Sequence, residues 1–514
     1  MGQRHPEQAS RRDFLRYAAA LGVTAPFGLA ACSSNALDGV TASTIAPTTS
    51  GPATTLGATT IAPTTTDAGV VFDPNFGYWQ QGGFRPVLDE LDLTDLAVRG
   101  TIPSSLDGLY VRNGSNGIGP TAHWFFGEGM AHGVELRGGR AVSYRNRFIR
   151  TPVYEASSTG TEAPGGAPGG PSSQSNVSMV SHGGRLLSLG EIGWPFELDP
   201  SDLSTIGPVD FNGALGANFT AHPKLDPATG LLHAFGYGLL EPPFLTYYVI
   251  SEDGQRIVHS TPIEMGASTM IHDFAITDRD VLFWEGPVMF DLNMAIAGEP
   301  IPYRWDDTYG ARLGVMPLGG TGDQIRWVEV DPMFVFHGTN AYRDGDVIVA
   351  DVSKLPDFFR EYDGLDGPSV LTRWRIDTSG DQLTVGEELL EELPLDLPTF
   401  DPRYRTTAIE QAYYLTTRQD EGNVWFEGIT GYDFRTGELD RWIAGPDLQP
   451  NEALFVPDSE TAAQGEGWLL SYAWNRRTDT SELVILDATS IAAGPVASIE
   501  IPQRVPFGFH GTFI

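Results

Sequence analysis

The stretch MFVFHGTNAYRDGDVIVADV, residues 333–352, shows the pattern on which the rest of the chain is built. An apolar run carries His337, the polar turn RDGD follows at 343–346, and a second apolar run begins at Val347. Asp and Gly between two apolar runs are typical of a β-hairpin. The stretch therefore predicts a hairpin that presents one imidazole near a strand end.

Three other histidines lie in similar surroundings. Residues 218–237 read NFTAHPKLDPATGLLHAFGY, with His222 ahead of the turn, and residues 268–286 read STMIHDFAITDRDVLFWEG, with His272 ahead of it. The fourth, His510, lies in the closing segment VPFGFHGTFI. Imidazole is a common ligand of iron, zinc, copper and nickel. Four imidazoles from distant hairpins can meet at one ion only if their strands converge on an axis.

The composition indicates a globular all-β domain. Of 514 residues, 41% are hydrophobic and 11% aromatic, which is enough to bury a large core. Most of 77–514 consists of short β-like runs broken by Gly, Pro, Asp and Asn, which favours a propeller over a sandwich. No strict repeat gives the number of blades. One short helix is predicted at 353–363 (SKLPDFFREYD), and the low-complexity segment 156–176 is predicted to be a mobile loop.

The N-terminal region reads as an export signal and a tether. Within residues 1–32, the sequence SRRDFL at 10–15 is similar to a twin-arginine signature, a short apolar run follows, and LAAC at 29–32 is similar to a lipobox. These features predict twin-arginine export and a lipid anchor on Cys32 at the outer face of a bacterial membrane. An uncleaved N-terminal anchor and a chance match to the lipobox are the alternatives. Residues 33–76, rich in Ser, Thr, Ala and Pro, predict a flexible linker to the folded domain at 77–514.

Charge and cysteine content exclude several functions. The chain has 32 basic and 66 acidic residues, a net charge of −34, whereas a nucleic-acid partner demands a basic surface. With Cys32 as the single cysteine, neither an intrachain disulfide nor a multi-cysteine metal site is possible. No glycine-rich dinucleotide fingerprint or P-loop is found, so no nucleotide cofactor is expected. His233 and His259 are interpreted as hydrogen-bonded structural histidines.

Seven motifs resemble those of the carotenoid cleavage oxygenases. They occur in order along nearly all of 77–514: LDGLYVRNGSNG, HWFFGEGMAHGV, YRNRFIRT, AHPKLDPATG, IHDFAITDR, FHGTNAY and GFHGTF. The resemblance implies a seven-bladed β-propeller with a dome of loops and short helices over the iron face. It also implies one Fe²⁺ per chain on the propeller axis, bound by His222, His272, His337 and His510 alone.

The resemblance further implies a carboxylate behind three of the histidines. Glu191 and Glu452 occupy two of these positions, and at the third, where the family has Glu-Phe-Pro, residues 396–398 read Asp-Leu-Pro. Asp396 is therefore expected to reach its histidine less well. Val177 of the Asn176-Val177 pair replaces a threonine common in relatives, and Arg343 replaces a glutamate. Neither change is expected to touch the four ligands.

The reaction implied by the resemblance is oxidative cleavage of an alkene. An open position on Fe²⁺ would accept O₂, and one C=C bond of a carotenoid or apocarotenoid would become two carbonyls. The partners are then an apolar polyene, O₂ and a membrane surface. An apolar tunnel is expected, and its candidate aromatic residues, each also a candidate for the core, are Trp124, Phe125, Phe126, Trp194, Trp284, Phe334, Phe336 and Phe509.

Three alternatives stay open from the sequence. The first is cleavage of a stilbene of the lignostilbene type, but relatives of that kind are thought to hold the phenol with a Lys and a Tyr in the N-terminal half, and no lysine precedes Lys224. The second is retinoid isomerisation. The third is a non-catalytic propeller lipoprotein, which predicts broken histidine motifs, whereas all four are intact.

Overall fold

The computed structural model describes residues 77–514 except 120, 122, 162–169, 217, 298, 300, 361–366, 421 and 422. The predicted signal at 1–32 and linker at 33–76 therefore lie outside the described residues, as does the middle of the low-complexity segment. No helix within the described residues has both the length and the apolar composition needed to cross a bilayer.

Seven antiparallel sheets, which we number as blades 1 to 7 in chain order, form a β-propeller. The strands nearest the N-terminus belong to blade 1, except β2, which joins blade 7: β1 (Asp92–Thr94), β2 (Val98–Gly100), β3 (Gly108–Arg112), β4 (Met130–Arg137) and β5 (Arg140–Phe148). Blade 2 follows with β6 (Ser178–His182), β7 (Arg185–Leu189), β8 (Phe196–Leu198) and β9 (Thr205–Pro208). Blade 3 has β10 (Lys224–Leu225), β11 (Leu232–Tyr237), β12 (Leu245–Ile250) and β13 (Ile257–Ile263).

Blades 4 and 5 continue the same meander. Blade 4 contains β14 (Ala275–Ile276), β15 (Asp280–Glu285), β18 (Ala311–Pro317) and β19 (Arg326–Val330). A separate hairpin of β16 (Val288–Phe290) and β17 (Tyr303–Trp305) is inserted between β15 and β18. Blade 5 contains β20 (Phe334–Asp344), β21 (Val347–Leu355), β22 (Val370–Asp377) and β23 (Thr384–Glu391).

The last two blades complete the ring. Blade 6 contains β24 (Leu395–Thr399), β25 (Gln411–Asp420), β26 (Asn423–Asp433) and β27 (Leu439–Ile443). Blade 7 contains β28 (Leu448–Pro450), β29 (Leu454–Pro457), β30 (Gly467–Asn475), β31 (Thr480–Asp487) and β32 (Pro495–Ile501), with β2 at its edge. The C-terminal strand β33 (Gly511–Phe513) returns to pair with β3 of blade 1, so β2 and β33 together close the ring between blades 7 and 1.

Burial explains why the middle strands are so apolar. Every residue of β11 (LHAFGY) and of β15 (DVLFWE) is buried, because each blade is covered on both faces by its neighbours. The outer strand β13 alternates between buried or half-buried and exposed positions, since it faces solvent on one side. The sequence pattern of short, strongly apolar runs is therefore the signature of stacked sheets.

Helices are few and short. The described α-helices are α1 (Pro152–Thr159) and α2 (Leu292–Ala297), and the 3₁₀ turns are Tyr78–Gln80, Gly82–Phe84, Gly322–Gln324, Pro402–Tyr404 and Ile491–Ala493. The low-complexity loop predicted from residue 156 was wrong at its start, because α1 extends through Thr159. Thr151 accepts a hydrogen bond from the Tyr154 backbone N–H as its N-cap, and Gly160 ends it in a left-handed conformation.

The prediction of a helix at 353–363 was also wrong over residues 353–360, which the structure describes. Residues 353–355 are the end of β21, where Lys354 pairs with Val370. Residues 356–360 form no helix, and Phe359 has φ +59°, which a right-handed helix excludes. Pairing with β22 in the sheet outweighed the weak helical pattern.

Candidate metal centre

The four histidines lie at the axial ends of four blades. His222 precedes β10 by two residues, His272 precedes β14 by three, His337 lies inside β20, and His510 directly precedes β33. Each of these strands is an end strand of its sheet. The close approach of the four rings identifies this end as the one at the axis. His337 lies next to a β-bulge, where the pairing with β21 skips Phe336. The hairpin prediction is thereby confirmed for the first three histidines.

The four rings converge in space. His222 Nε2 lies 2.9 Å from His272 Nε2. The ring centroids of His222 and His510 are 4.6 Å apart, and those of His337 and His510 are 5.0 Å apart. One ligand nitrogen each from His222, His337 and His510 lies within 4.8 Å of the others, which is close enough for the three to hold one metal ion.

Carboxylates stand behind three of the rings. His510 Nδ1 lies 2.6 Å from Glu452 Oε1, and Glu452 Oε2 also accepts the Gly511 backbone N–H at 3.1 Å. His272 Nδ1 lies 3.0 Å from Glu191 Oε2, an ion-pair distance whose geometry departs from that of a straight hydrogen bond. The other Glu191 oxygen accepts the Tyr237 hydroxyl at 2.6 Å. A carboxylate on Nδ1 fixes the tautomer and leaves the Nε2 lone pair free for a metal.

Asp396 reaches its histidine despite its shorter side chain. His337 Nδ1 lies 2.7 Å from Asp396 Oδ1, so the expected poor reach was wrong. The pairing of β24 with β25 shifts register after Asp396, and Leu397 takes φ +51°. Asp396 Oδ1 also accepts the Leu397 backbone N–H at 2.8 Å. A local distortion of the strand thus positions the carboxylate, which the residue type alone does not show.

The donor set fits a cation. Once Nδ1 of His272, His337 and His510 faces a carboxylate, the Nε2 atoms carry lone pairs toward the axis. His510 Nε2 is buried and has no hydrogen-bond partner among the described residues. The Nε2 atoms of His222 and His272, at 2.9 Å, would repel each other if both lone pairs were bare. A positive charge between these nitrogens removes both problems.

Burial and neighbouring charge act in opposite directions on the ring pKa values. Burial lowers the pKa of His222 well below its usual range, and the neighbouring rings lower it further. Burial also lowers the pKa of His337, although Asp396 opposes the shift. At His272 burial acts to lower the pKa, but the carboxylates of Glu191, Asp273 and Asp396 together outweigh it and the net shift is upward. Neutral imidazole at His222 and His337 is the form that binds a metal.

A buried ion pair that the sequence interpretation missed lies beside the site. Asp273 follows His272, and its Oδ1 lies 2.6 Å from Lys224 Nζ. Asp273 is fully buried, and burial lowers the pKa of Lys224 while Asp273 raises it. An acidic residue next to a histidine in the apolar run IHDF was the available signal.

Aromatic side chains pack beside the His272 ring. Phe336 packs edge-on against His272 with a centroid distance of 5.0 Å, and Phe125 lies 6.0 Å from Phe336. Phe125 also lies 6.1 Å from Phe509, which stacks on Trp124 at 4.4 Å. Trp194 packs in the cluster that includes Phe509. Phe126 and Phe334 join the Phe336 cluster, whereas Trp284 lies in the core between blades 4 and 5.

The two departures from the family pattern differ in their effect. Arg343, beside the turn between β20 and β21, donates two hydrogen bonds to Asp280 at 2.6 and 2.7 Å. The expectation that Val177 does not touch the ligands was wrong, because its carbonyl accepts the His510 backbone N–H at 3.0 Å. Asn176 fastens the covering loop by donating to the carbonyls of Phe125 and Gly127.

Two histidines interpreted as structural are confirmed as hydrogen-bonded. His259 Nε2 lies 2.8 Å from the Gly320 carbonyl oxygen. His233 Nδ1 lies 2.6 Å from the Tyr247 hydroxyl, and burial lowers the pKa of His233 to about 4. Neither belongs to the histidine cluster on the axis.

Comparison with known proteins agrees with this geometry. The sequence profile of the retinal pigment epithelial membrane protein family matches residues 84–514. The chain is 34% identical over 495 residues to a carotenoid cleavage oxygenase of Mycobacterium tuberculosis, covering 84% of this chain and 96% of the relative. It is 32% identical over 466 residues to an isoeugenol monooxygenase of Pseudomonas nitroreducens, covering 84% of this chain and 97% of that relative. The crystal structure of Pseudomonas brassicacearum lignostilbene dioxygenase superposes with a TM-score of 0.78 at 27% identity. The match covers 85% of this chain and 99% of the dioxygenase.

Proposed function

The chain belongs to the retinal pigment epithelial membrane protein family, that of the carotenoid cleavage oxygenases, and from this premise we propose that it is a non-haem Fe²⁺ dioxygenase that cleaves one C=C bond of a carotenoid or apocarotenoid with O₂. The convergence of four imidazoles, three of them backed by carboxylates, carries the proposal. His222, His272, His337 and His510 would hold the ion. Fe²⁺ bound there would supply the activation of O₂ for addition across the alkene.

The residues around the rings suit an apolar substrate. Phe336, edge-on to His272, packs against Phe334 at 4.8 Å and Phe358 at 4.7 Å. Phe125 closes the same wall from the covering loop. Such a wall offers aromatic faces and edges against which a polyene can pack. The aromatic wall would then bind and orient the substrate, while the carboxylates fix the orientation of the imidazole rings.

The charges around the rings are arranged to accept a divalent cation. Glu191, Asp396 and Glu452 face three rings from behind, on the side away from the axis. Three carboxylates near a +2 ion and neutral imidazoles lower the cost of burying that ion. The described residues offer no thiolate ligand, since the single cysteine, Cys32, lies outside them.

Cleavage of a phenylpropenoid or stilbene is the second candidate. The isoeugenol monooxygenase at 32% identity and the lignostilbene dioxygenase with a TM-score of 0.78 favour it. The lysines count against it, because both are already paired, Lys224 with Asp273 and Lys354 with Glu387. Neither ammonium is then free to hold a phenol.

Iron content and product analysis test the proposal together. The expected result is about one Fe²⁺ per chain and two carbonyl products from a carotenoid or apocarotenoid, each detected by mass spectrometry. The same panel should contain a stilbene and isoeugenol. Turnover of stilbene and isoeugenol alone would favour the second candidate over the carotenoid assignment. A protein that binds no Fe²⁺ and consumes no O₂ with any of these substrates would refute the proposed enzymatic function.

Single replacement of the four histidines tests the site directly. Changing His222, His272, His337 or His510 to Ala should abolish activity and lower iron occupancy, because each removes a ligand nitrogen. His259→Ala is the matched control, since His259 is hydrogen-bonded to Gly320 away from the cluster. Full activity in any of the four variants would contradict the assignment of that residue.

A further inference from the structure

Three of the four histidine-bearing segments meet at one carboxylate. Asp273 directly follows His272, and its Oδ1 lies 2.6 Å from the Nζ of Lys224, which stands two residues after His222. Its Oδ2 accepts the backbone N–H of Gly338 at 2.9 Å, and Gly338 directly follows His337. The side chain of Asp273 therefore joins blades 3, 4 and 5 where their inner strands approach the axis.

The contact between Asp273 and Lys224 is almost completely buried. The Asp273 side chain is 1% exposed and that of Lys224 11% exposed. Oδ1 also accepts the Phe274 backbone N–H at 2.8 Å, so each carboxylate oxygen has a donor. A buried carboxylate is tolerated only when paired and hydrogen-bonded, and either partner left alone would be costly. The three segments are thus fixed to one another by contacts that are almost completely buried.

This contact differs from those of the three carboxylates behind the rings. Glu191, Asp396 and Glu452 each face one imidazole and set its orientation. Asp273 instead binds the backbone next to His337 and the side chain that follows His222, so it sets the distance between segments. A metal ion requires its ligands to be placed within about 0.5 Å, and orientation alone does not ensure that.

We propose that Asp273 is a positioning residue for the metal centre, acting with Lys224 to hold the segments of His222, His272 and His337 at the spacing that one ion requires. The proposal rests on the proposed function only for the presence of the metal. It is independent of the substrate. Packing at Gly338 supports it, because a Cβ there would meet the Trp284 ring at 2.7 Å. The segment of His337 is therefore held between Trp284 and Asp273.

Metal binding by two variants tests the proposal. Asp273→Asn keeps the shape, but its amide cannot accept from both Lys224 and Gly338, so one contact becomes donor against donor. Lys224→Met keeps the aliphatic stem and removes the ammonium. The probes are Fe²⁺ under anaerobic conditions and Co²⁺ alone, whose visible absorption reports coordination geometry. Asp273→Asn should raise the Fe²⁺ dissociation constant by roughly 10–100-fold and change the Co²⁺ spectrum, and Lys224→Met should do so in the same direction.

Asp351→Asn is the matched control. Asp351 is equally buried, with its side chain 2% exposed, and it receives two hydrogen bonds from Arg373 at 2.7 and 3.0 Å within blade 5. Neither of these hydrogen bonds involves a residue of the histidine-bearing segments. Its replacement should lower the melting temperature while leaving the Fe²⁺ dissociation constant and the Co²⁺ spectrum as in the parent protein.

The outcomes separate the two proposals. Unchanged metal affinity and spectrum in a folded Asp273→Asn variant would overturn the positioning role while leaving the iron enzyme intact. An equal loss in Asp351→Asn would also overturn it, by showing a general effect of stability. If Asp273→Asn does not fold, the positioning role is overturned by a Lys224→Met variant whose Fe²⁺ affinity and Co²⁺ spectrum match those of the parent protein. A parent protein that binds neither metal would refute the proposed iron site, and the positioning role with it.

Discussion

At the scale of single residues, the site depends on pairs rather than on histidines alone. An imidazole in a strand is ordinarily a hydrogen-bonded structural group, as His233 and His259 are here. What distinguishes His337 and His510 is a carboxylate on Nδ1 together with an Nε2 that turns to the axis. The short Asp396 side chain performs this role as closely as the longer Glu452 does, at 2.7 and 2.6 Å.

Neutralising these carboxylates should weaken the site without removing a ligand. Glu452→Gln and Asp396→Asn are expected to reduce Fe²⁺ affinity or kcat/KM by roughly 10–100-fold, because the ring loses its anionic partner and its fixed tautomer. The two effects should be similar in size, since the two contacts are similar in length. Affinity is measured by chelator competition and kcat/KM by product formation.

A buried glutamate elsewhere serves as the control for this comparison. Glu285 is fully buried in blade 4, where it accepts hydrogen bonds from Tyr309 and Arg312. Glu285→Gln should lower stability and leave Fe²⁺ affinity unchanged. If Glu452→Gln and Asp396→Asn behaved like this control, the carboxylates would have no role at the metal.

At the scale of elements, local sequence predicts the hairpins and misses the contacts between them. The turn expected within RDGD is present at Gly345 and Asp346, which join β20 to β21, because Asp and Gly favour a turn whatever surrounds them. The bulge after Asp396 and the placement of β33 beside β3 depend on partners far along the chain. The helical pattern at 353–363 failed for the same reason, since sheet pairing decided residues 353–355.

The segment that brings His510 to the axis tolerates no added atoms at Gly508. A Cβ on Gly508 would meet the Asn113 carbonyl oxygen at 2.6 Å and the Gly114 Cα at 2.9 Å, both backbone atoms of the segment after β3. Gly508→Ala must therefore push the closing segment away from blade 1. We expect a destabilisation of about 1–3 kcal/mol and a loss of iron occupancy, because His510 lies two residues further on.

Gly386 is the matched control for the closing segment. It lies in β23 with nothing within 4 Å of an added Cβ, so Gly386→Ala should change neither property. Thermal unfolding and iron analysis of both variants decide the point. A Gly508→Ala variant with the melting temperature and iron content of the parent would show that the backbone contact is not tight.

At the scale of the whole molecule, the ring explains which parts of the site could be foreseen. The four ligand candidates were identifiable because each keeps its motif within a few residues, and the resemblance to the family supplied their convergence. The contact of Asp273 with Lys224 and Gly338 was not identifiable, because it joins positions about 50 and 65 residues apart. It arises only when three blades meet on one axis.

The charge of the molecule also belongs to this scale. A net charge of −34 repels anionic polymers and anionic membrane surfaces alike. The net charge therefore gives the chain no overall electrostatic attraction to an anionic bilayer, where apolar polyenes dissolve. An anchor of another kind would hold the chain at lipid from which an apolar substrate is taken.

We propose that lipid on Cys32 provides that anchor after export of the folded protein. Residues 10–15 and 29–32, which motivate the proposal, lie outside the described residues. A centre whose ligands extend from His222 to His510 assembles only on folding, which suits the twin-arginine route because it carries folded proteins. Two acyl chains anchor a protein stably, whereas one binds only marginally. Fractionated cells should retain the Arg11→Lys/Arg12→Lys variant in the cytoplasm and show Cys32→Ser protein without lipid. Parent protein that is soluble in the cytoplasm with Met1 intact would refute both export and anchoring.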